Sequence, residues 1–267
     1  MKAQKPLEKG LLRHFLEEAM DLQQFFEENP RVALAFSGGT DSAYLLYAGV
    51  RYGARIKAYC VKSAFQPKFE EEDARRLAEE RGAELVFLPL DILSQAGVTA
   101  NPPDRCYHCK RLILKTVLAA AEADGFTVLA DGTNATDAPE GRPGMKVLTE
   151  LAVRSPLREC GLTKQEIRRL SREAGLFTYD KPAYACLATR IPTGEPITLQ
   201  KLRRTEAAEA WLAGLGLRDF RVRTANGIAR LQVTQQDLPL VIEQREVIVE
   251  RLKKDYSGVV LDMEVRK

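Results

Sequence analysis

The chain has 267 residues, enough for one large domain or two modest ones, and its 45% hydrophobic content is that of an ordinary globular protein. Its 40 basic and 37 acidic side chains nearly balance, so a net charge of +3 does not indicate a nucleic-acid partner. No apolar run approaches the roughly 20 residues that cross a bilayer, and the acidic N-terminal pattern is unlike a signal peptide. We therefore expect a cytoplasmic protein without a membrane partner, whose five cysteines serve metal or catalytic roles rather than disulfides.

Strand and helix patterns alternate through the first two thirds of the chain. An amphipathic helix is predicted at 8–29, strands at 32–36, 55–61, 84–89 and 127–130, and helices at 41–52, 68–81, 104–123 and 163–174. This alternation predicts an α/β fold with a doubly wound parallel sheet, in which ligands bind at the carboxyl ends of the strands. Ser37, Ser63 and Asp131 follow three of those ends, so we expect them to converge.

The loop and helix after the fourth strand carry further signals. Gly132–Gly144 is a polar loop with two prolines and is predicted to cover the site. Thr163 and Glu166 form a capping-box pattern at the start of helix 163–174. The exposed face of this helix is predicted to be basic and solvated, and it comprises Lys164, Arg168, Arg169 and Arg172.

A Ser-Gly-Gly-Thr-Asp-Ser motif stands where the first strand turns into a helix. Paired glycines let the backbone approach a ligand closely, and the start of a helix binds anions. The motif lacks the Gly-Lys-Ser/Thr of a Walker A loop and the spacing of a dinucleotide fingerprint. It resembles instead the PP-loop of ATP pyrophosphatases, which split ATP into AMP and pyrophosphate. The predicted ATP site comprises Ser37, Gly38, Gly39, Thr40, Asp41 and Ser42, with Ser63, Asp131 and Gly132 at the other strand ends.

The last third of the chain has a different order of elements. Phe177–Ile197 contains three prolines and little regular pattern, which is typical of a functional loop and a domain junction. A helix at 198–214, strands at 219–224 and 228–233, a helix at 235–253 and a strand at 257–263 then predict a small α+β domain. We divide the chain into a PP-loop domain (1–180), a cysteine-bearing junction loop (181–197) and a substrate-binding and oligomerisation domain (198–267), and we expect a homo-oligomer.

Three cysteines form a candidate metal site. Cys106 and Cys109 make a C-x-x-C pair at a predicted helix start, where Asp104 can cap the helix and thiolates are stabilised, and Cys186 lies in the irregular loop. Their spacing leaves three interpretations: a redox pair, a structural zinc site completed by His108, and an iron–sulfur cluster. A cluster held by three thiolates would leave one iron open for a substrate or an extra sulfur. Cys60 and Cys160 are interpreted as structural.

Motifs spread over nearly the whole chain resemble one family, the LarE family of ATP-dependent sulfur transferases of nickel-pincer nucleotide cofactor synthesis. They are the PP-loop, Asp131-Gly132-Thr133-Asn134, Arg154-Ser155-Pro156-Leu157, the loop from Ala185 to Pro192, Phe220-Arg221-Val222-Arg223 and Ile228-Ala229-Arg230. The resemblance implies that Arg221 and Arg223, on one strand face, bind the substrate's phosphate, with Arg190 near the reacting carboxylate and Glu209 at a family acidic position.

The cysteines distinguish two kinds of member within this family. Members with a single cysteine, which sacrifice its sulfur, place the thiol where this chain has Ala185. Cys106, Cys109 and Cys186 make this chain similar to the three-cysteine members that resemble cluster binders. The resemblance therefore implies a [4Fe-4S] cluster with three cysteine ligands and one open iron.

The resemblance implies a two-step reaction. ATP, with Mg²⁺ near Asp41, would adenylate a carboxylate of pyridinium-3,5-biscarboxylic acid mononucleotide, and sulfur from a donor would then displace AMP and give a thiocarboxylate. The expected catalytic residues are Asp41, Cys106, Cys109 and Cys186. Other classes remain open: a tRNA thiolase, which should carry more positive charge, an ammonia-dependent amide-forming synthetase, which would not need the three cysteines, and a non-enzymatic nucleotide sensor.

Overall fold

The computed structural model describes residues 21–138 and 143–266, so residues 8–20 of the predicted first helix and residues 139–142 of the predicted covering loop lie outside it. The strands of the larger sheet are β1 Arg31–Ala35, β2 Arg55–Lys62, β3 Glu84–Pro89 and β4 Leu129–Asp131. All are parallel, in the order β3-β2-β1-β4. Ala35 pairs with Asp131, which brings the carboxyl ends of β1 and β4 side by side.

Helices cover both faces of this sheet. In chain order they are α1 Leu22–Glu28, α2 Thr40–Arg51, α3 Lys68–Arg81, α4 Ala96–Thr99, α5 Arg105–Ala123, α6 Lys146–Glu150, α7 Pro156–Glu159 and α8 Lys164–Glu173. On one face, Leu34 of β1 is buried with Leu45 of α2 and Ile167 of α8. On the other face, Ala33 of β1 is buried with Leu114 of α5. This layering confirms the predicted α/β fold with a doubly wound parallel sheet.

A smaller sheet follows, with its own apolar core. Its strands are β5 Phe220–Ala225, β6 Ile228–Val233 and β7 Gly258–Leu261, and its helices are α9 Leu199–Gly214, α10 Leu238–Glu243 and α11 Arg245–Leu252. β5 and β6 are antiparallel, whereas β7 is parallel to β6. The turn between β5 and β6 is Asn226-Gly227, with φ of 49° and 79°, because a two-residue hairpin needs left-handed backbone at both positions.

The single helix predicted at 235–253 is wrong, because the chain forms α10 and α11 instead. Gln244 separates them with a backbone outside the helical region, and its N–H group ends α10 by bonding the Leu240 carbonyl. Each half contributes to the same core, through Val241 and Ile248. Among the helices that the structure describes, none is long and apolar enough to cross a membrane.

The irregular segment between the two sheets is held by a separate apolar cluster. Its one regular turn is a 3₁₀ helix, Leu187–Arg190. Leu187 and Ile191 pack with Phe65, which follows β2, and with Leu202 of α9. Phe65 follows a strand of the larger sheet and Leu202 precedes the smaller sheet. The backbone around Cys186 is therefore held between the two parts of the molecule.

Candidate active site

The PP-loop motif forms a tight turn between β1 and α2. Gly38 has a φ of +70°, and a Cβ there would lie 3.2 Å from the carbonyl oxygen of Glu70 in α3, so glycine is needed on both counts. Gly39 is the N-cap of α2 and has no side chain to occupy the first N–H groups of the helix. Those groups are therefore left for an anionic ligand. The Ser37 and Ser42 hydroxyls lie 3.1 Å apart across the turn.

The end of β4 packs directly against the start of α2. A Cβ on Gly132 would lie 2.8 Å from the Ser42 backbone nitrogen, so only glycine allows this approach. Asp131 is buried and accepts hydrogen bonds from the Thr133 hydroxyl at 2.7 Å and from the Ser155 hydroxyl at 2.8 Å. This network holds one carboxylate in a fixed position beside the PP-loop.

Two neighbouring cavities open at these strand ends. One, of about 340 Å³, is lined by Ser37, Gly39, Asp41, Ser42, Asp131 and Gly132 of the predicted ATP site. The other, of about 310 Å³, is lined by Ser37 and Ser63. The expected convergence of Ser37, Ser63 and Asp131 is therefore what the structure has. The Thr40 hydroxyl, in contrast, is buried and donates to the Thr178 carbonyl at 2.8 Å, so that side chain supports the turn from behind.

Two lysines contact carboxylates of this site. The sequence pattern did not identify either of them as a site residue. Lys164 Nζ lies 2.8 Å from both carboxylate oxygens of Asp41, and Lys110 Nζ lies 3.3 Å from Asp131 Oδ2. The predicted solvated face of α8 is therefore wrong at Lys164, and also at Arg168, which donates to the Tyr179 and Lys181 carbonyls. The reason is that the first turn of α8, which follows the predicted capping box, lies next to the start of α2.

The carboxylates of the PP-loop cavity, which is the cavity lined by Asp41 and Asp131, are suited to bind a magnesium ion that arrives with ATP. Mg²⁺ is commonly bound by one or two carboxylates together with substrate phosphates. Asp41 and Asp131 supply such oxygens, and the lysine on each of them can move to a phosphate. Within residues 21–138 and 143–266, no group of three His, Cys, Asp or Glu side chains is arranged to hold a metal ion by itself.

The cysteines of the C-x-x-C pair lie in the first turn and a half of α5. Asp104 occupies the N-cap position, but its prediction as a cap is wrong: its carboxylate makes no bond to the helix backbone and instead lies 3.0 Å from His108 Nε2. The backbone at Asp104 has a ψ of 11°, whereas capping side chains need an extended residue there. His108 is thereby directed to a carboxylate rather than completing a zinc site.

Arg105, which the sequence pattern did not single out, joins this helix to the loop of Cys186. Its guanidinium donates to the Ala188 carbonyl at 3.0 Å and to Cys106 Sγ at 3.6 Å. Cys106 is exposed, whereas Cys109 and Cys186 are half-buried. The C-x-x-C helix and the junction loop are therefore neighbours, although their cysteines are far apart in sequence.

The three thiols are close enough to influence one another. Burial raises the pKa of Cys109 to about 12, with Cys186 and Cys106 adding to the rise. Burial also raises the pKa of Cys186, against the charge of Arg105. Cys109 and Cys186 pack against the same apolar cluster, but within the described residues the three thiols are not arranged as a metal-binding group. The iron–sulfur cluster, which unlike a closed zinc site does not need a fourth protein ligand, therefore stays a prediction. Binding such a group requires deprotonated thiols, so it would proceed against these raised pKa values.

A cavity of about 830 Å³, the junction cavity, lies between α3, the junction segment and α9. Its lining combines aromatic and charged side chains, including Phe69, Tyr184, Glu209, Arg218 and Arg221. Such a mixture of apolar walls and a few convergent charges is typical of a site for a small charged ligand.

A buried ion pair organises the wall of this junction cavity. Arg190 Nε lies 2.8 Å from Glu209 Oε1, and the two side chains are 1% and 6% exposed. Glu209 also accepts from the Tyr184 hydroxyl at 2.5 Å and from the Val222 backbone at 2.9 Å. Arg190 donates further to the Ala185 carbonyl at 2.7 Å. The two predicted substrate residues therefore bind each other. Each also bonds the backbone, Arg190 at the Ala185 carbonyl and Glu209 at the Val222 N–H group.

Arg221 and Arg223 hold the junction loop on either side of Cys186. Arg221 donates to the Ala183 carbonyl, and Arg223 donates to the Thr189 carbonyl at 2.6 Å. Burial lowers the pKa of Arg221 to about 10, with further lowering by neighbouring arginines, and the pKa of Arg223 falls for the same reasons. This crowding of positive charge would be relieved by a doubly charged anion such as a phosphate.

No protein-family model matches the chain. An uncharacterized protein of Synechocystis sp. is 36% identical over 226 residues, which cover 84% of this chain and 84% of that protein. The pyridinium-3,5-bisthiocarboxylic acid mononucleotide synthase of Lactiplantibacillus plantarum is 33% identical over 207 residues, which cover 77% and 75%. The tRNA-specific 2-thiouridylase MnmA of a Thermotoga species is more distant, at 28% identity over 57% of this chain and 54% of that protein.

A parallel sheet whose first strand ends in Ser-Gly-Gly-Thr-Asp-Ser, with an anion-ready helix start behind it, defines a PP-loop protein of the ATP pyrophosphatase type. Its sequence relatives identify the family within that class. The chain belongs to the LarE family, as its identity with the bisthiocarboxylic acid mononucleotide synthase over three quarters of that enzyme shows.

The Arg190–Glu209 pair gives a stability prediction. Glu209→Ala leaves the Arg190 guanidinium buried without a counter-charge, so we expect the free energy of unfolding to fall by about 3–5 kcal/mol. Denaturant titration followed by circular dichroism would measure it. Glu243→Ala, at the exposed end of α10, is the control and should change the value by less than about 0.5 kcal/mol. Equal stability of the two variants would show that the pair does not hold the junction.

Proposed function

We propose that this protein is an ATP-dependent sulfurtransferase that converts a carboxylate of pyridinium-3,5-biscarboxylic acid mononucleotide into a thiocarboxylate, releasing AMP and pyrophosphate. One observation carries the proposal: α5 contacts both the loop of Cys186 and the PP-loop cavity, because Cys109 packs against the same apolar cluster as Cys186 and the next residue, Lys110, bonds Asp131. An activating site and a sulfur site on one helix suit a reaction that activates a carboxylate and then thiolates it.

ATP activates the substrate in the first step. The free N–H groups at the start of α2 would hold the phosphates, Asp41 would bind Mg²⁺, and Lys164 and Lys110 would neutralise the pyrophosphate as it forms. A substrate carboxylate oxygen attacks the α-phosphorus, and the bond to the β-phosphate oxygen breaks. This step is needed because a free carboxylate resists nucleophiles, whereas AMP leaves readily.

The mononucleotide would bind in the junction cavity. Arg221 and Arg223 would take its phosphate, and Arg190 would lie near the reacting carboxylate. Because the two arginines now hold the Ala183 and Thr189 carbonyls, phosphate binding would compete with those bonds and would bear directly on the loop of Cys186.

Sulfur transfer completes the reaction. Cys106, Cys109 and Cys186 would hold a [4Fe-4S] cluster, which when bound supplies an iron without a protein ligand at which sulfur can be carried. The sulfur bonds to the carbonyl carbon of the acyl adenylate, and the bond between that carbon and the AMP oxygen breaks. The apolar side chains that pack around Cys109 and Cys186 would limit the access of water, which would otherwise hydrolyse the adenylate.

The ATP chemistry is tested by product analysis. With Mg-ATP and the mononucleotide, we expect AMP and pyrophosphate, resolved by chromatography. Asp41→Ala should lower turnover by about 100-fold or more, because the metal loses a carboxylate, while the circular dichroism spectrum stays unchanged. Asp255→Ala, an exposed residue after α11, should match the unmodified protein. Release of ADP and orthophosphate would contradict the proposal.

The substrate-phosphate assignment is tested by calorimetry of the two ligands separately. Arg221→Ala or Arg223→Ala should weaken mononucleotide binding by about tenfold or more, the worth of one charge-assisted contact, and should leave ATP binding nearly unchanged. Arg245→Ala removes an exposed arginine of α11 and should affect neither ligand. Equal losses for ATP and the mononucleotide would place these arginines elsewhere in the reaction.

The cysteine assignment is tested on anaerobically purified protein. We expect iron and sulfide by elemental analysis, lost together with repeated turnover in Cys106→Ser, Cys109→Ser and Cys186→Ser. Cys160→Ser should keep both, since that thiol lies in another cluster of the fold. Stoichiometric zinc with full activity and no iron, or conversion of Cys186 to dehydroalanine after one turnover, would each refute the cluster.

A further inference from the structure

One carboxylate of α3, that of Glu70, lies between the two proposed binding sites. It lines the cavity of about 310 Å³. That cavity shares Ser37 and Gln66 with the PP-loop cavity and shares Pro67 and Lys68 with the junction cavity. A ligand group that passes from the mononucleotide site to the ATP phosphates would therefore pass beside Glu70.

The position of Glu70 is fixed relative to the PP-loop. It is the third residue of α3, and its N–H group donates to the Pro67 carbonyl at 3.2 Å. Its own carbonyl oxygen lies 3.2 Å from the point where a Cβ on Gly38 would stand. The first turn of α3 and Gly38 of the PP-loop are therefore in direct contact, which places the Glu70 backbone beside the phosphate loop.

Two acidic residues close to Glu70 in sequence are paired, whereas Glu70 has no partner among the described residues. Glu71 binds Lys62 at 2.7 Å, and Asp73 binds Lys181 at 2.6 Å. The carboxyl of Glu70 makes no hydrogen bond and no ion pair with any residue in the described ranges. A half-buried carboxyl without a partner is unfavourable for folding and is a common feature of functional sites.

The surroundings of Glu70 favour its neutral form. Burial raises the pKa of this carboxyl to about 7, and Asp73 adds to the rise, while three cations oppose it. Two further anions, the substrate carboxylate and the ATP α-phosphate, would raise it more on binding. The charged and titratable groups that act on Glu70 or are acted on by it include Lys181, Asp73, Arg190, Arg221 and Cys60. Its cavity is also lined by the charged side chains Lys62, Lys68, Glu71, Glu72 and Arg75.

We propose that Glu70 is a catalytic residue of the adenylation step, which acts as a carboxylic acid and donates a hydrogen bond to the substrate carboxylate beside the α-phosphate. This inference rests on the proposed function. The proton stays on Glu70 throughout: the carboxylate oxygen attacks phosphorus, pyrophosphate leaves, and the acid hydrogen bond offsets the repulsion between the two anions. An ionised Glu70 would repel the substrate carboxylate instead.

The test measures ATP–pyrophosphate exchange, which needs no sulfur, between pH 6 and pH 9 with the mononucleotide as substrate. The exchange rate of the unmodified protein should fall by about tenfold or more between pH 7 and pH 9, because the protonated fraction falls tenfold per pH unit above the pKa. Glu70→Gln keeps a hydrogen-bond donor without a charge, so its rate should stay level over this range. Glu79→Gln, an exposed residue of the same helix, should follow the unmodified protein.

The possible outcomes separate a failure of the Glu70 role from a failure of the proposed function. If the unmodified protein exchanges pyrophosphate and Glu70→Gln follows its pH profile, Glu70 has no such role. If the unmodified protein shows no exchange with the mononucleotide, the proposed function fails and takes this role with it. If Glu70→Gln does not fold, calorimetry of mononucleotide binding to the unmodified protein replaces it: affinity should fall by about tenfold or more from pH 7 to pH 9, and unchanged affinity would overturn the inference.

Discussion

The buried ion pair of Arg190 and Glu209 is the interaction on which the arrangement of the site depends. Glu209 lies on α9, accepts from the Val222 backbone of β5, and binds the guanidinium at the end of the junction turn. Arg190 in turn donates to the Ala185 carbonyl beside Cys186. Two buried charges are stable only when each is fully satisfied, so this pair locks one geometry of the loop between the two sheets.

Helix α5 extends that geometry to the parallel sheet. Arg105 bonds the Ala188 carbonyl of the junction turn, Cys109 packs against the same apolar cluster as Cys186, and Lys110 bonds Asp131 at the end of β4. One rigid element therefore spans the distance from the thiols to the proposed ATP site. The junction cavity is lined by Lys181, Pro182 and Tyr184 of the same segment, so the proposed substrate site, thiol site and ATP site are all connected by a single short stretch of chain.

The sequence patterns whose structural predictions are confirmed are local ones. The Gly-Gly turn after β1, the strand end at Asp131 and the C-x-x-C pair at the start of α5 each depend on a few consecutive residues, and the structure has them where the patterns put them. The division into domains at 180 and 197, the oligomeric state and the sulfur donor stay predictions. The predictions of the Asp104 cap and of the solvated face of α8 were wrong. In both places the side chains bind partners that the neighbouring residues in the sequence do not indicate.

The sequence by itself determined the order of the strands, most of the helices and the glycine turn of the PP-loop, because apolar periodicity and backbone preference act over a few residues. Only the tertiary structure decided which charges meet. Lys164 reaches Asp41 across 123 residues of chain, and Lys181 pairs with Asp73 while Glu70 has no ion-pair partner among residues 21–138 and 143–266. Such choices depend on distance and burial in the folded chain, and no spacing in the sequence encodes them.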